Sequence, residues 1–129
     1  MSSRSSSRTP SVLLVTAGET RRLTGGNVYD AHIVRAMRHA GFGVRVARAD
    51  RAPLPRASVT IVDSIAFPFV GDVIDRIAGR VVALAHMPVR GRSAERVLER
   101  ADRVVAVARD LCPLLRRGSD RCYAPRHRD

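Results

Sequence analysis

The sequence contains no lysine: all 23 of its basic residues are arginine. That excludes a P-loop lysine, a Schiff-base lysine and a lysine general base. Tryptophan is absent and aromatics make up only 4%, so the core has to be built from Val, Leu, Ile and Ala. The two cysteines, Cys112 and Cys122, lack metal-type C-x-x-C spacing and indicate neither a zinc site nor a disulfide scaffold, which makes a reduced, cytosolic chain the default. No apolar run approaches the roughly 20 residues a membrane-spanning helix needs. The Ser- and Arg-rich start has no apolar segment of the signal-peptide kind.

What is there suffices for one domain. The chain has 129 residues and is 45% hydrophobic, enough for a real core. Its formal net charge is +11. Such an excess arises from an Arg-rich composition with solvated faces, or marks a surface for phosphates, nucleic acid or anionic lipid headgroups. Residues 1–10 (MSSRSSSRTP) read as a disordered tail, 11–118 as the folded domain and 119–129 as an irregular C-terminal tail.

The domain opens on the stretch that organises it. Val12 to Thr16 is a continuous apolar run, suited to a central parallel strand covered on both faces. A loop with Gly18, Gly25 and Gly26 follows, and then a helix from about Asn27, a good N-cap, to Ala40, stopped by Gly41. Tyr29, Ile33, Ala36, Met37 and Ala40 are placed on its inner face, with Asp30, Arg35, Arg38 and His39 outside. Strand, glycine loop and helix is how many α/β domains turn backbone N–H groups toward an anionic or sugar ligand.

Further strands and helices alternate downstream. Gly43 to Ala49 reads as a strand near a sheet edge, and Asp50 to Ala57, with Pro53 and Pro55, as an extended loop that is short for a parallel crossover. Val59 to Val62 is a buried-type strand ending at Asp63-Ser64, and a helix is expected from about Val70 to Ala78, ended by Gly79. Arg80 to Ala85 is a strand that delivers His86 to its C-terminal end. Ser93 is placed as the cap of a helix to Ala101, Arg103 to Val107 as the fifth strand, and Asp110 to Arg117 as a last helix. The pattern predicts an α/β, Rossmann-like three-layer domain with a mostly parallel sheet of about five strands. Ligand-binding groups in such folds sit at the carboxyl ends of the strands.

Thr24-Gly-Gly-Asn-Val-Tyr-Asp30, Ile33 to Val46, Val62-Asp-Ser64, Ala83-Leu-Ala-His-Met-Pro88 and Ala101-Asp-Arg-Val-Val-Ala-Val107 together resemble the N-terminal domain of a retaining GT-B glycosyltransferase of family 4. The likeness runs over residues 11 to 118. It implies a domain that binds the acceptor while a nucleotide sugar sits in a cleft against a second, C-terminal domain. By position it carries over Gly25, Gly26 and Asn27 in the loop near the donor phosphate, and His86 as the catalytic-site histidine near the transferred sugar. Arg21 and Arg22 lie in the same loop, where they are either solvated, as loop arginines usually are, or draw in a phosphate or an anionic acceptor. Asp63 and Ser64 fall on the acceptor side, although Asp63 better suits a bond to loop backbone.

The family's second domain is not in this sequence, and Tyr123 to Asp129 departs from the family pattern, as a truncation or shifted reading frame would. The expectation is a glycosyltransferase half that is inactive alone. It takes no cofactor and no metal, the nucleotide sugar being a substrate. Its partners would be that sugar, an acceptor and a separate C-terminal domain, with peripheral membrane association at the inner face allowed. The alternative is a non-catalytic basic module for nucleic acid or anionic lipid. Nucleic acid is disfavoured by the lack of Arg at base-reading spacing and of stacking aromatics. A dinucleotide-binding domain ranks last, because the loop does not give G-x-G-x-x-G.

Overall fold

The computed structural model describes residues 11–17, 25–50, 53–86, 88–107, 112 and 122–123, and the backbone alone for 25–29. Strands β1 (Ser11–Thr16), β2 (Gly43–Arg48), β3 (Val59–Asp63), β4 (Arg80–Ala85), β5 (Arg103–Ala106) and β6 (Cys122–Tyr123) form one sheet in the order β2-β1-β3-β4-β5-β6. Every pairing is parallel. The helices are α1 (Gly25–His39), α2 (Phe67–Val70) and α3 (Arg92–Arg100). The α/β fold and parallel sheet are as expected; the sheet has one strand more, since β6 lies within the segment read as an irregular tail.

Alternation along β1 divides the core into two layers. Val12 and Leu14 pack with Val34 of α1 and Val44 of β2 on one face of the sheet. Leu13 and Val15 join Phe67, Val70, Ile74, Val97 and Leu98 on the other. Right-handed crossovers give this split: the chain steps one way from β1 to β2 and the other way from β3 onward. Continuous apolar runs were therefore a sound signal, since both strand faces are covered.

α1 stops as its sequence dictates. Gly41, at φ +101°, takes the left-handed conformation, and the N–H groups of Gly41 and Phe42 donate to the carbonyls of Arg38 and Met37, both at 3.0 Å. Its start differs from expectation: the helix begins at Gly25, so Gly25, Gly26 and Asn27 form its first turn and Asn27 is not the cap. Its inner face is rotated as well. Asp30 and Val34 are buried while Ala36 and Ala40 are exposed, because Asp30 finds a polar partner inside.

Between β3 and β4 the expected single helix is a composite. A 3₁₀ turn (Ser64–Ala66), α2 and a second 3₁₀ stretch (Gly71–Arg76) run on from one another. Asp63 caps the first turn by accepting from the Ile65 N–H at 3.1 Å, and Pro68 suits the start of α2. Gly71 lets this segment touch α3, where a Cβ would overlap the Ser93 backbone. Ser93 is not the cap of α3. That position is Gly91, and the Ser93 hydroxyl donates to Asp72 at 3.1 Å.

The link from β2 to β3 crosses β1 with no helix among its described residues, in keeping with its length and prolines. Leu54 and Ala57 pack onto the core in place of one. At the far end of the sheet, Asp102 accepts from the Val81 N–H at 2.8 Å, tying the α3–β5 turn to β4.

The expectation of two reduced cysteines is overturned. Cys112 and Cys122 form a disulfide, with Cα atoms 5.8 Å apart. The parallel return of the chain to pair β6 with β5 brings them together, which spacing alone does not reveal. The expected tail 1–10 and helix Asp110 to Arg117 lie outside the described residues, Cys112 excepted.

Candidate functional site

The site lies where the sheet changes direction, at the carboxyl ends of β1 and β3. Crossovers leave these neighbours on opposite sides, which opens a crevice above them. Asp63 is the last residue of β3, His86 follows β4, and Asp30 reaches in from α1. Thr16 ends β1 on the same face.

Asp30, Asp63 and His86 form a tight buried group. His86 Nε2 is 3.3 Å from Asp30 Oδ1 and 3.3 Å from Asp63 Oδ2. The other Asp63 oxygen accepts from the Ile65 N–H at 3.1 Å and from the Ser64 hydroxyl at 3.5 Å. Ser64 in turn accepts from the His86 N–H at 3.1 Å, joining the ends of β3 and β4.

The electrostatics follow from burial and charge. Burial works against a charged His86, yet the two carboxylates override it and raise its pKa to about 9, so the ring is an imidazolium at neutral pH. For Asp30 burial dominates and, with Asp63 beside it, lifts the pKa to about 6 against the pull of His86. Burial also pushes Asp63 up, but hydrogen bonds from His86, Asp30 and the Ile65 N–H outweigh it and hold Asp63 below its ordinary value. The group thus carries one acid poised near neutrality, one fixed carboxylate and one fixed cation.

Two oxygen atoms beside this group are buried without a hydrogen-bond partner among the described residues: Thr16 Oγ1 and Asp30 Oδ2. Both residues line a cavity of about 440 Å³ floored by Leu14 and Val34, with Arg35 and Arg38 at its wall. An orphaned buried oxygen costs about 1–3 kcal/mol. Neither atom is open to solvent, so a hydroxyl-bearing ligand would satisfy them only by parting the packing that covers them.

Asp30, Asp63 and His86 also form the one grouping among the described residues whose donor atoms, within 4.8 Å of one another, could hold a metal ion. The imidazolium proton occupies that space at neutral pH. A cation could enter only as His86 gives the proton up.

Of the residues expected at a site, His86, Asp63 and Ser64 come together here. Gly25, Gly26 and Asn27 are placed only as the first turn of α1, and Arg21 and Arg22 lie outside the described residues. Sequence reasoning missed Asp30 and Thr16. A carboxylate one turn before Val34, in line with the buried face, was the available signal for Asp30. Thr16, closing an apolar run, offered none.

No family model matches the chain, and no curated protein or solved structure is significantly similar to it. No helix among the described residues is long and apolar enough to cross a membrane.

Proposed function

We propose that this chain is the acceptor-side half of a retaining, GT-B-type glycosyltransferase. The observation that carries the proposal is the pair of orphaned buried oxygens, Thr16 Oγ1 and Asp30 Oδ2, beside the His86 imidazolium. A sugar is a dense array of hydroxyls, each able to donate and accept, and suits such a set. The resemblance of Ala83 to Pro88 to the family's histidine strand supports it independently.

In this reading each side chain has a definite task. Asp30 Oδ2 accepts a sugar hydroxyl, and Thr16 Oγ1 fixes its neighbour. The His86 imidazolium, its Nε2 held between Asp30 and Asp63, presents positive charge to the sugar, and Asp63 is itself held by Ile65 and Ser64. The exposed Ile65 and Phe69, next to Asp63 in sequence, give a second domain an apolar footing. That domain, in the same chain or another, grips the nucleotide and closes the cleft to water. The arginines of this chain would give peripheral membrane contact.

Nuclear magnetic resonance titration with simple glycosides and nucleotide sugars tests the reading. Shifts confined to Thr16, Asp30, Ser64 and His86, with no turnover, are expected from this chain alone. Addition of a nucleotide-binding partner domain should give transfer with retained anomeric configuration, lost in His86→Ala. Turnover by this chain alone, or shifts elsewhere, would overturn it.

A further inference from the structure

A second cavity lies at the opposite end of the molecule, on the other face of the sheet. It has a volume of about 320 Å³, with Leu13 of β1 and Thr60 of β3 at its base and Leu54, Ala57, Val73 and Ile77 among its walls. Leu13 and Thr60 sit near the starts of their strands, so this is the amino rim of the sheet and not the rim that carries His86.

Its origin is topological. A parallel crossover is normally filled by a helix, but the link from Arg48 to Val59 is too short for one and carries Pro53 and Pro55. The following 3₁₀ stretch, Gly71–Arg76, is narrower than an α-helix. Together they leave apolar space open under the loop.

The rim of this cavity is cationic. Arg56 and Arg76 line it and are exposed. Neither guanidinium pairs with a carboxylate among the described residues. Asp75, next to Arg76, is held by Arg96 at 3.1 Å. Arg45 adds a third guanidinium, donating to the Arg56 carbonyl at 3.3 Å. Most exposed arginines among the described residues lack a carboxylate partner, Arg96 excepted; what sets Arg56 and Arg76 apart is their place at the mouth of an apolar cavity.

We infer that this pocket binds a monomeric anionic amphiphile: an alkyl chain in the Leu13–Ile77 cavity, and a phosphate or carboxylate head on Arg56 and Arg76. At about 30 Å³ per water-sized group, the volume takes a chain of roughly ten carbons. The guanidinium fork matches a tetrahedral or planar oxyanion. A free amphiphile fits better than a bilayer. The exposed large hydrophobics among the described residues are Val46, Ile65, Phe69 and Tyr123, and none of them lines this mouth, so nothing there would enter a membrane. The inference is independent of the glycosyltransferase reading, because the two sites occupy opposite rims.

The test is titration of the full chain with decyl phosphate below its micelle concentration, read from backbone amide shifts. Saturable shifts at Ala57, Thr60 and Ile77, with Ser64 and His86 unmoved, are expected. The double variant Arg56→Glu, Arg76→Glu should weaken binding at least tenfold. Val73→Trp should fill the cavity and abolish binding, with its folding checked by circular dichroism. Equal affinity for decanol, or the same shifts with inorganic phosphate alone, would overturn the inference. So would binding to anionic phosphatidylglycerol vesicles without any saturable response to decyl phosphate.

Discussion

Asp30 and His86 meet across 56 positions of sequence, with Asp30 Oδ1 3.3 Å from His86 Nε2. One comes from the helix after the first strand and the other from the end of the fourth. They meet at the carboxyl rim, over the end of β3, which lies between β1 and β4 in the sheet.

That contact makes stability depend on pH. His86 titrates near 9 in the fold against 6.5 ordinarily, so the folded state holds its proton more tightly. This contribution is fully present below pH 6.5 and is lost as pH rises through 9, at most about 3 kcal/mol. Asp30, lifted from 3.8 to about 6, loses its contribution over that lower window as pH rises. Asp63 runs oppositely: its contribution is present above its ordinary value and lost as pH falls through its depressed one. Melting curves should show the midpoint declining between pH 6.5 and 9.5, and His86→Gln should flatten that decline. With no lysine present, few other groups obscure this range.

Asp63→Asn removes one of the two charges facing the imidazolium while leaving an oxygen for the Ile65 N–H. The His86 pKa should fall from about 9 toward its ordinary value, by at least about one unit. A histidine ring titration followed by nuclear magnetic resonance reads this directly. An unmoved pKa would mean that Asp63 does not hold the charge.

Gly71→Ala should be severe. The added methyl overlaps the backbone of Ser93, which a side-chain rotation cannot relieve. A loss of about 1–3 kcal/mol is expected for such overpacking, measured by chemical denaturation. Gly43→Ala, which meets nothing within 4 Å, serves as the control.

Reduction of the Cys112–Cys122 bridge, which closes a sequence separation of 10, should cost about 2–3 kcal/mol on the chain-entropy account. The melting midpoint should drop on adding a phosphine reductant. Cys112→Ser should show the same drop without reductant and no further response to it.

The sequence made the sheet legible because covered parallel strands demand unbroken apolar runs, as in Val12–Val15 and Val81–Ala85. Helix stops were equally local, with Gly41 supplying the positive φ. Half of the site was legible too, since His86, Asp63 and Ser64 sit at strand ends where parallel folds place their ligands. Asp30 was hidden because polarity on a helix normally means solvent, and only its distant partner reverses that. The disulfide and β6 depend on how the chain returns after β5, which local pattern does not encode. Ser93 shows the converse: a sound local cap signal lost to a tertiary bond with Asp72.

β1 is synthesised before both of its partners, Val12 standing between Val44 and Val59 in the finished sheet. Its second flank stays bare until β3 has left the ribosome. At the usual 5–20 residues per second, that leaves an apolar strand uncovered for a few seconds. No local hairpin can shield it, because parallel partners are always distant in sequence, and such topologies fold more slowly than helical bundles. Arg35, Arg38 and Arg45 recur through the intervening segment, and charges of that kind oppose aggregation of an exposed apolar strand. The same positive charge thus acts on the unfolded chain as well as on the folded surface.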